Sequence, residues 1–198
     1  MKVTRSCGCE NHVIGCIGWG SLIWDPRELP VKGRWFTDGP RLPVEFSRQS
    51  QKGHITLALT ENAEPVQTLW TELSVSSIDQ AAEVLRVREG PTKVAWIGRH
   101  PGGSNPTNPI ALVIAAWCNE RGLDGVVWTA LPPKFRETSG IIPTADEVVN
   151  HLRQLSGDAR IAAERYVRCA PAQVRTKYRL KIEAELGWVN AECNPRAV

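Results

Sequence analysis

The apolar run Val13–Ile17 breaks into Gly-Trp-Gly-Ser-Leu-Ile-Trp-Asp-Pro at residues 18–26, and no other stretch constrains the fold as strongly. A buried strand that meets Gly-x-Gly-Ser and then an Asp-Pro stop must turn sharply, and its small residues leave backbone N–H groups open to a neighbour. Such a loop suits a carboxylate or a developing oxyanion. The strand before it also needs a sheet, and residues 13–73 supply one. Val31–Thr37, Leu42–Ser47, Ile55–Thr60 and Val66–Leu73 are short apolar or alternating runs between Gly, Pro, Asn and Asp. That is the spacing of a sandwich or barrel.

A helix follows. Ser77 caps it with Gln80 three residues on, Ile78, Ala81, Ala82 and Leu85 form its apolar stripe, and Gly90-Pro91 ends it. Val94–Ile97 reads as a further strand and residues 102–109 as a surface loop. The apolar runs Ile110–Trp117 and Gly125–Leu131 read as strands, the first of them central. From Pro143 the pattern turns helical. A Thr144/Glu147 capping box opens a segment closed by Gly157, Asp158 caps a second helix that ends before Pro171, and Val174, Tyr178, Ile182 and Leu186 recur at intervals of four before Gly187. The class is α+β. It divides into a flexible N-terminal arm at 1–12, an α+β domain at 13–142, and a helical extension at 143–198 packed on the same domain.

Composition narrows the function. Lys and Arg total 24 against 21 acidic residues, a net charge of +3 with no basic stripe, which argues against a nucleic-acid partner. No stretch reaches the roughly 18 apolar residues of a membrane span. Val13-Ile14-Gly15-Cys16 resembles a lipoprotein cleavage site, but polar residues precede it, so a cytoplasmic protein is expected. Its six cysteines are then expected without structural disulfides. Cys7-Gly-Cys9-Glu-Asn-His12 lacks the second half-site of a zinc centre, so no metal is expected. Eight Trp, against three Phe and two Tyr, read mostly as core, with one or two as pocket walls.

Gly20-Ser21-Leu22-Ile23-Trp24-x-Pro26, coming directly off its strand, resembles the Tyr-Gly-Ser-Leu-(x)-Trp-x-Pro signature of the γ-glutamylcyclotransferase superfamily, especially its ChaC-like branch. Leu85-Arg86-Val87-Arg88-Glu89-Gly90, at the helix end, resembles that family's Leu-Asp-x-x-Glu-Gly segment. Val31-Lys32-Gly33-Arg34 and Phe46-Ser47-Arg48-Gln49-Ser50 lie between them in the family's order. The resemblance covers residues 13–98. Trp19 stands where the family has tyrosine, Arg86 stands where it has aspartate, and no tyrosine follows Glu89-Gly90.

The resemblance implies a small mixed β-barrel with flanking helices, and a reaction that needs no cofactor. The α-amine of a γ-glutamyl group attacks its own side-chain carbonyl, expels an amine and leaves 5-oxoproline. In that reading Glu89 is the acid/base, and Trp19, Gly20, Ser21, Leu22 and Ile23 hold the substrate. Backbone amides around Gly20–Leu22 meet the oxyanion, and Arg48, with Arg34 as a second candidate, takes the α-carboxylate. The negative end of the helix disfavours an ionised Glu89 by about 0.3–1 kcal/mol. Arg86 and Arg88 leave the helix about 60° or more away from a line through Glu89, so their coupling to it stays open. Glu72 and Glu45, on strands, are the fallback carboxylates. Ser21 is not read as a nucleophile, because no elbow or acid–His pair accompanies it. The expected partner is a small γ-glutamyl molecule, with a homodimer if a helical stripe proves exposed. Two other classes stay open: a binder of a small acidic metabolite on the same fold, and a thiol-dependent enzyme or interaction protein using the cysteines or the helical tail.

Overall fold

The structure is a computed structural model that describes residues 12–90, 93–103, 107–191 and 193. All of the expected N-terminal arm except His12 lies outside these residues, Cys7 and Cys9 included, as does Pro91. The first sheet-forming segments are β1 (Ile14–Gly18), β2 (Val31–Phe36), β3 (Arg41–Gln49), β4 (Ile55–Leu59), β5 (Pro65–Gln67) and β6 (Leu69–Leu73). Helix α1 (Ile78–Glu89) and a short 3-10 turn (Val94–Trp96) lead to β7 (Ile97–His100), α2 (Pro109–Glu120) and β8 (Gly125–Thr129). The hairpin β9 (Lys134–Phe135) and β10 (Thr138–Ser139) precede α3 (Ala145–Gln154), α4 (Gly157–Cys169) and α5 (Lys177–Leu186).

Two sheets and five helices make a mixed α+β fold. One sheet has the order β2-β6-β1-β8-β7, with β1 parallel to β8 and the other neighbours antiparallel. The second has the order β10-β9-β3-β4, with β5 added along β3. Strand β1 is buried on both faces, which is why its sequence is an unbroken apolar run rather than an alternation. Ile14 and Cys16 face Ala81 and Leu85 of α1, while Ile17 faces the main core with Phe46, Ile114, Val149 and Val167. That main core draws on both sheets and on α2, α3, α4 and α5.

Several expectations are corrected. Val66–Leu73 is two strands, because the chain passes from one sheet to the other at Thr68, whose Oγ1 donates to Pro40 O at 2.6 Å. Gly39 permits this crossing, since a Cβ there would lie 2.7 Å from Thr68 Oγ1. Val94–Trp96 is a 3-10 turn, and only Ile97 onward is strand. Ile110–Trp117 is not a central strand but the body of α2. Asn108 Oδ1 accepts from the Ile110 and Ala111 N–H groups, and Pro109 occupies the first turn, where its missing N–H costs nothing. Gly157 does not close α3. It opens α4 with φ 52°, so Asp158 sits within that helix's first turn rather than at its cap.

Other signals appear as read. Ser77 accepts from Gln80 N–H at the start of α1, Thr144 and Glu147 form the capping box of α3, and Gly187 ends α5 in the left-handed region. Cys169 and Cys193 form a disulfide, against the expectation that the cysteines need none. Cys16 and Cys118 are free and buried, Cys118 on a helix rather than a strand. Burial pushes the Cys16 thiol up to about 12, with the Glu89 charge adding to the effect, so it is no nucleophile. Among the described residues no helix is long and apolar enough to cross a membrane.

Candidate functional site

The loop after β1 and the end of α1 meet through Arg88, which lies 67 residues from Ser21 and 63 from Asp25. Its Nη1 donates to Glu89 Oε1 at 3.0 Å, and its Nη2 donates to Ser21 Oγ at 3.1 Å and to Asp25 O at 2.6 Å. Arg27 returns the contact, donating to Arg88 O at 3.2 Å and so satisfying one carbonyl at the helix end. The guanidinium fork thus spans the expected acid/base and the expected substrate loop. Its planar geometry holds both at once, which a single ammonium could not do. The helical wheel kept residues 88 and 89 apart, but a long side chain turns back further than the backbone angle allows for. Arg86 behaves as the wheel suggests, pairing outward with Glu83.

These groups form one wall of a cavity of about 840 Å³ at the carboxyl ends of the parallel strands β1 and β8. Trp19, Gly20, Ser21 and Leu22 line it, as do Arg48 and Glu89. Ile23 does not. It turns back from the loop and packs against the main core. Arg48 has its Nη1 donating to Pro132 O at 2.6 Å and its guanidinium 5.9 Å from the Trp96 ring centroid. Burial lowers the Arg48 pKa, and the Glu89 charge acts against that, so the two sense each other across the cavity. Arg27, Arg48, Lys52, Arg88 and Arg165 outnumber Asp25, Glu89 and Asp158 around the lining, which gives it a net positive character.

The remaining candidates lie elsewhere. Arg34 is exposed on β2, 5.2 Å from the Phe36 ring centroid. Glu72 pairs with Lys32 on the first sheet. Glu45 is buried under α5, where it accepts from Thr176 Oγ1 and from the Phe46 and Tyr178 N–H groups. Burial raises its pKa and these donors oppose the rise.

Two lining residues came without a sequence signal. Tyr166, on α4, sends its hydroxyl onto Gly20, where a Cβ would lie 2.5 Å from the phenolic oxygen. A side chain at position 20 would therefore have to displace the phenol. The Tyr166 oxygen accepts from the Leu57 N–H at 3.3 Å. His54, the second residue, lies with its ring centroid 5.7 Å from that of Tyr166, and burial lowers its pKa, which favours the neutral imidazole.

Among the described residues, the buried side-chain polar atoms without a hydrogen-bond partner are Arg88 Nε and Thr129 Oγ1, and both residues line this cavity. Buried polar groups are otherwise paired almost without exception, and these two stand out on that count. The described residues hold no cluster of three His, Cys, Asp or Glu side chains suited to a metal. No protein-family model and no curated protein matches this chain.

Proposed function

We propose that this protein is a cofactor-independent cyclotransferase that releases 5-oxoproline from a γ-glutamyl amide or peptide, on the small mixed β-barrel that its motifs imply. The observation that carries the reading is the Arg88 fork, which joins Glu89 to the Gly20–Leu22 loop on the wall of a cationic cavity. Intramolecular attack by the α-amine needs a carboxylate to take one proton from the attacking nitrogen and return it to the leaving nitrogen. Glu89 is the carboxylate at the loop. The substrate's α-carboxylate needs a cation, and Arg48 lines the cavity near enough to sense the Glu89 charge. Loop, base and cation hold one small substrate among them, and this positioning is the larger part of the catalysis proposed.

One observation favours a second reading on the same site. The Arg88–Glu89 pair is a closed ion pair with side chains only 5% and 14% exposed, and a carboxylate so engaged also suits a non-catalytic binder of a small acidic metabolite. Incubation with glutathione and a panel of γ-glutamyl dipeptides, followed by quantifying 5-oxoproline, separates the two. The cyclotransferase reading expects multiple turnovers on at least one substrate. Calorimetric binding of these compounds without turnover supports the binder and sinks the enzyme.

A further inference from the structure

The Tyr166 side chain lines the cavity, and its hydroxyl oxygen is used as an acceptor while its own proton is not. The oxygen accepts from the Leu57 N–H at 3.3 Å. Among the described residues nothing accepts the proton that the hydroxyl itself carries. The ring cannot swing away to find an acceptor. Trp24 meets it edge-on at 5.3 Å, Phe46 at 6.3 Å and His54 lies 5.7 Å off, while the oxygen rests on Gly20. An amide donating into the oxygen polarises its O–H bond and makes it a stronger donor than an isolated phenol.

Resting on the cyclotransferase reading, we infer that Tyr166 is a catalytic residue that donates its hydrogen bond to the substrate's γ-carbonyl oxygen and holds the oxyanion formed there. In the reaction the α-nitrogen forms a bond to the γ-carbon and the bond from that carbon to the leaving nitrogen breaks. Glu89 moves one proton from the first nitrogen to the second, and Tyr166 keeps its own proton throughout. Burial, with the Glu89 charge adding to it, pushes the phenol up to about 12, so it remains a donor across the working pH range.

The chain contains only two tyrosines, Tyr166 and Tyr178. Uniform 3-fluorotyrosine labelling therefore gives two ¹⁹F resonances, assigned with Tyr178→Phe, whose hydroxyl donates to Pro143 O at 2.7 Å outside the cavity lining. Saturating 5-oxoproline is expected to shift the Tyr166 resonance and leave that of Tyr178 in place. In turnover of γ-glutamyl substrates, Tyr166→Phe keeps the ring and its packing. It is expected to lower kcat by about 10²–10³-fold with KM little changed, the loss typical of one oxyanion donor. Wild-type kcat in Tyr166→Phe overturns the inference while the cyclotransferase reading stands. If the wild type turns over no γ-glutamyl substrate, that reading falls, and the resonance decides Tyr166 alone. A shift with 5-oxoproline keeps it as the carbonyl donor of a binding site, and an unmoved resonance overturns it in every case.

Discussion

Two buried arginines, Arg88 at the cavity and Arg179 in the seam beneath α5, have nearly equal burial, with side chains 5% and 1% exposed. Their hydrogen bonds differ. Arg179 spends Nε on Glu183, Nη1 on Pro171 O and Val174 O, and Nη2 on Ala170 O, so each of its nitrogens has a partner. It ties the turn between α4 and α5 to the helix that follows. Arg88 leaves Nε without a partner and uses its other nitrogens to bridge two separate elements across an open cavity. Burial alone does not separate a structural charge from a site charge. Completeness of pairing does.

The comparison breaks if the two arginines respond alike. Arg179→Met removes the bonds this side chain makes to the turn and to Glu183 and is expected to destabilise the fold by about 3–5 kcal/mol, read as a lowered Tm in calorimetry. Arg88→Lys keeps a positive charge but cannot span Glu89 and Ser21. It is expected to cost about 10-fold in kcat/KM, the value of one charged hydrogen bond, with Tm nearly unchanged. A Tm loss at Arg88 to match that of Arg179 would erase the distinction.

A smaller effect concerns Glu45, the carboxylate that the seam encloses. Burial raises its pKa above the ordinary 4.5 despite the donors around it, so the folded state binds its proton more tightly than the unfolded state does. As pH rises from 4.5 through the raised folded value, the wild type therefore loses stability relative to Glu45→Gln. The gap becomes constant above that value. Thermal melts of both proteins across this range give the sign, and a gap that moves the other way would show that the donors outweigh burial.

The N-terminal half was far more legible than the helical half. Its strands announce themselves through glycine and proline punctuation, and α1 through Ser77 and Gly90. Helix α2 was misread because Leu112 and Val113 are apolar yet exposed, which hides the burial of Ile114, Trp117 and Cys118 at helical spacing. The Asn108-Pro109 cap was the available signal. At the site, the loop and Glu89 could be named from sequence because each is a local pattern. Arg88 as their bridge, Tyr166 over Gly20, and the Cys169–Cys193 disulfide are products of tertiary placement. A tyrosine on an amphipathic helix carries no mark of the loop it will reach, 146 residues upstream at Gly20.

The central claim is that Glu89 acts on a substrate held by the loop it shares with Arg88, and the most direct measurement is 5-oxoproline release by wild type and Glu89→Gln at matched protein concentration. The substitution keeps the size of the side chain and an oxygen to accept from Arg88, but it cannot carry a proton between nitrogens. Release by the wild type, slowed about 10²–10⁴-fold in Glu89→Gln with both proteins folded, is the predicted result. Equal release by the two proteins would contradict it.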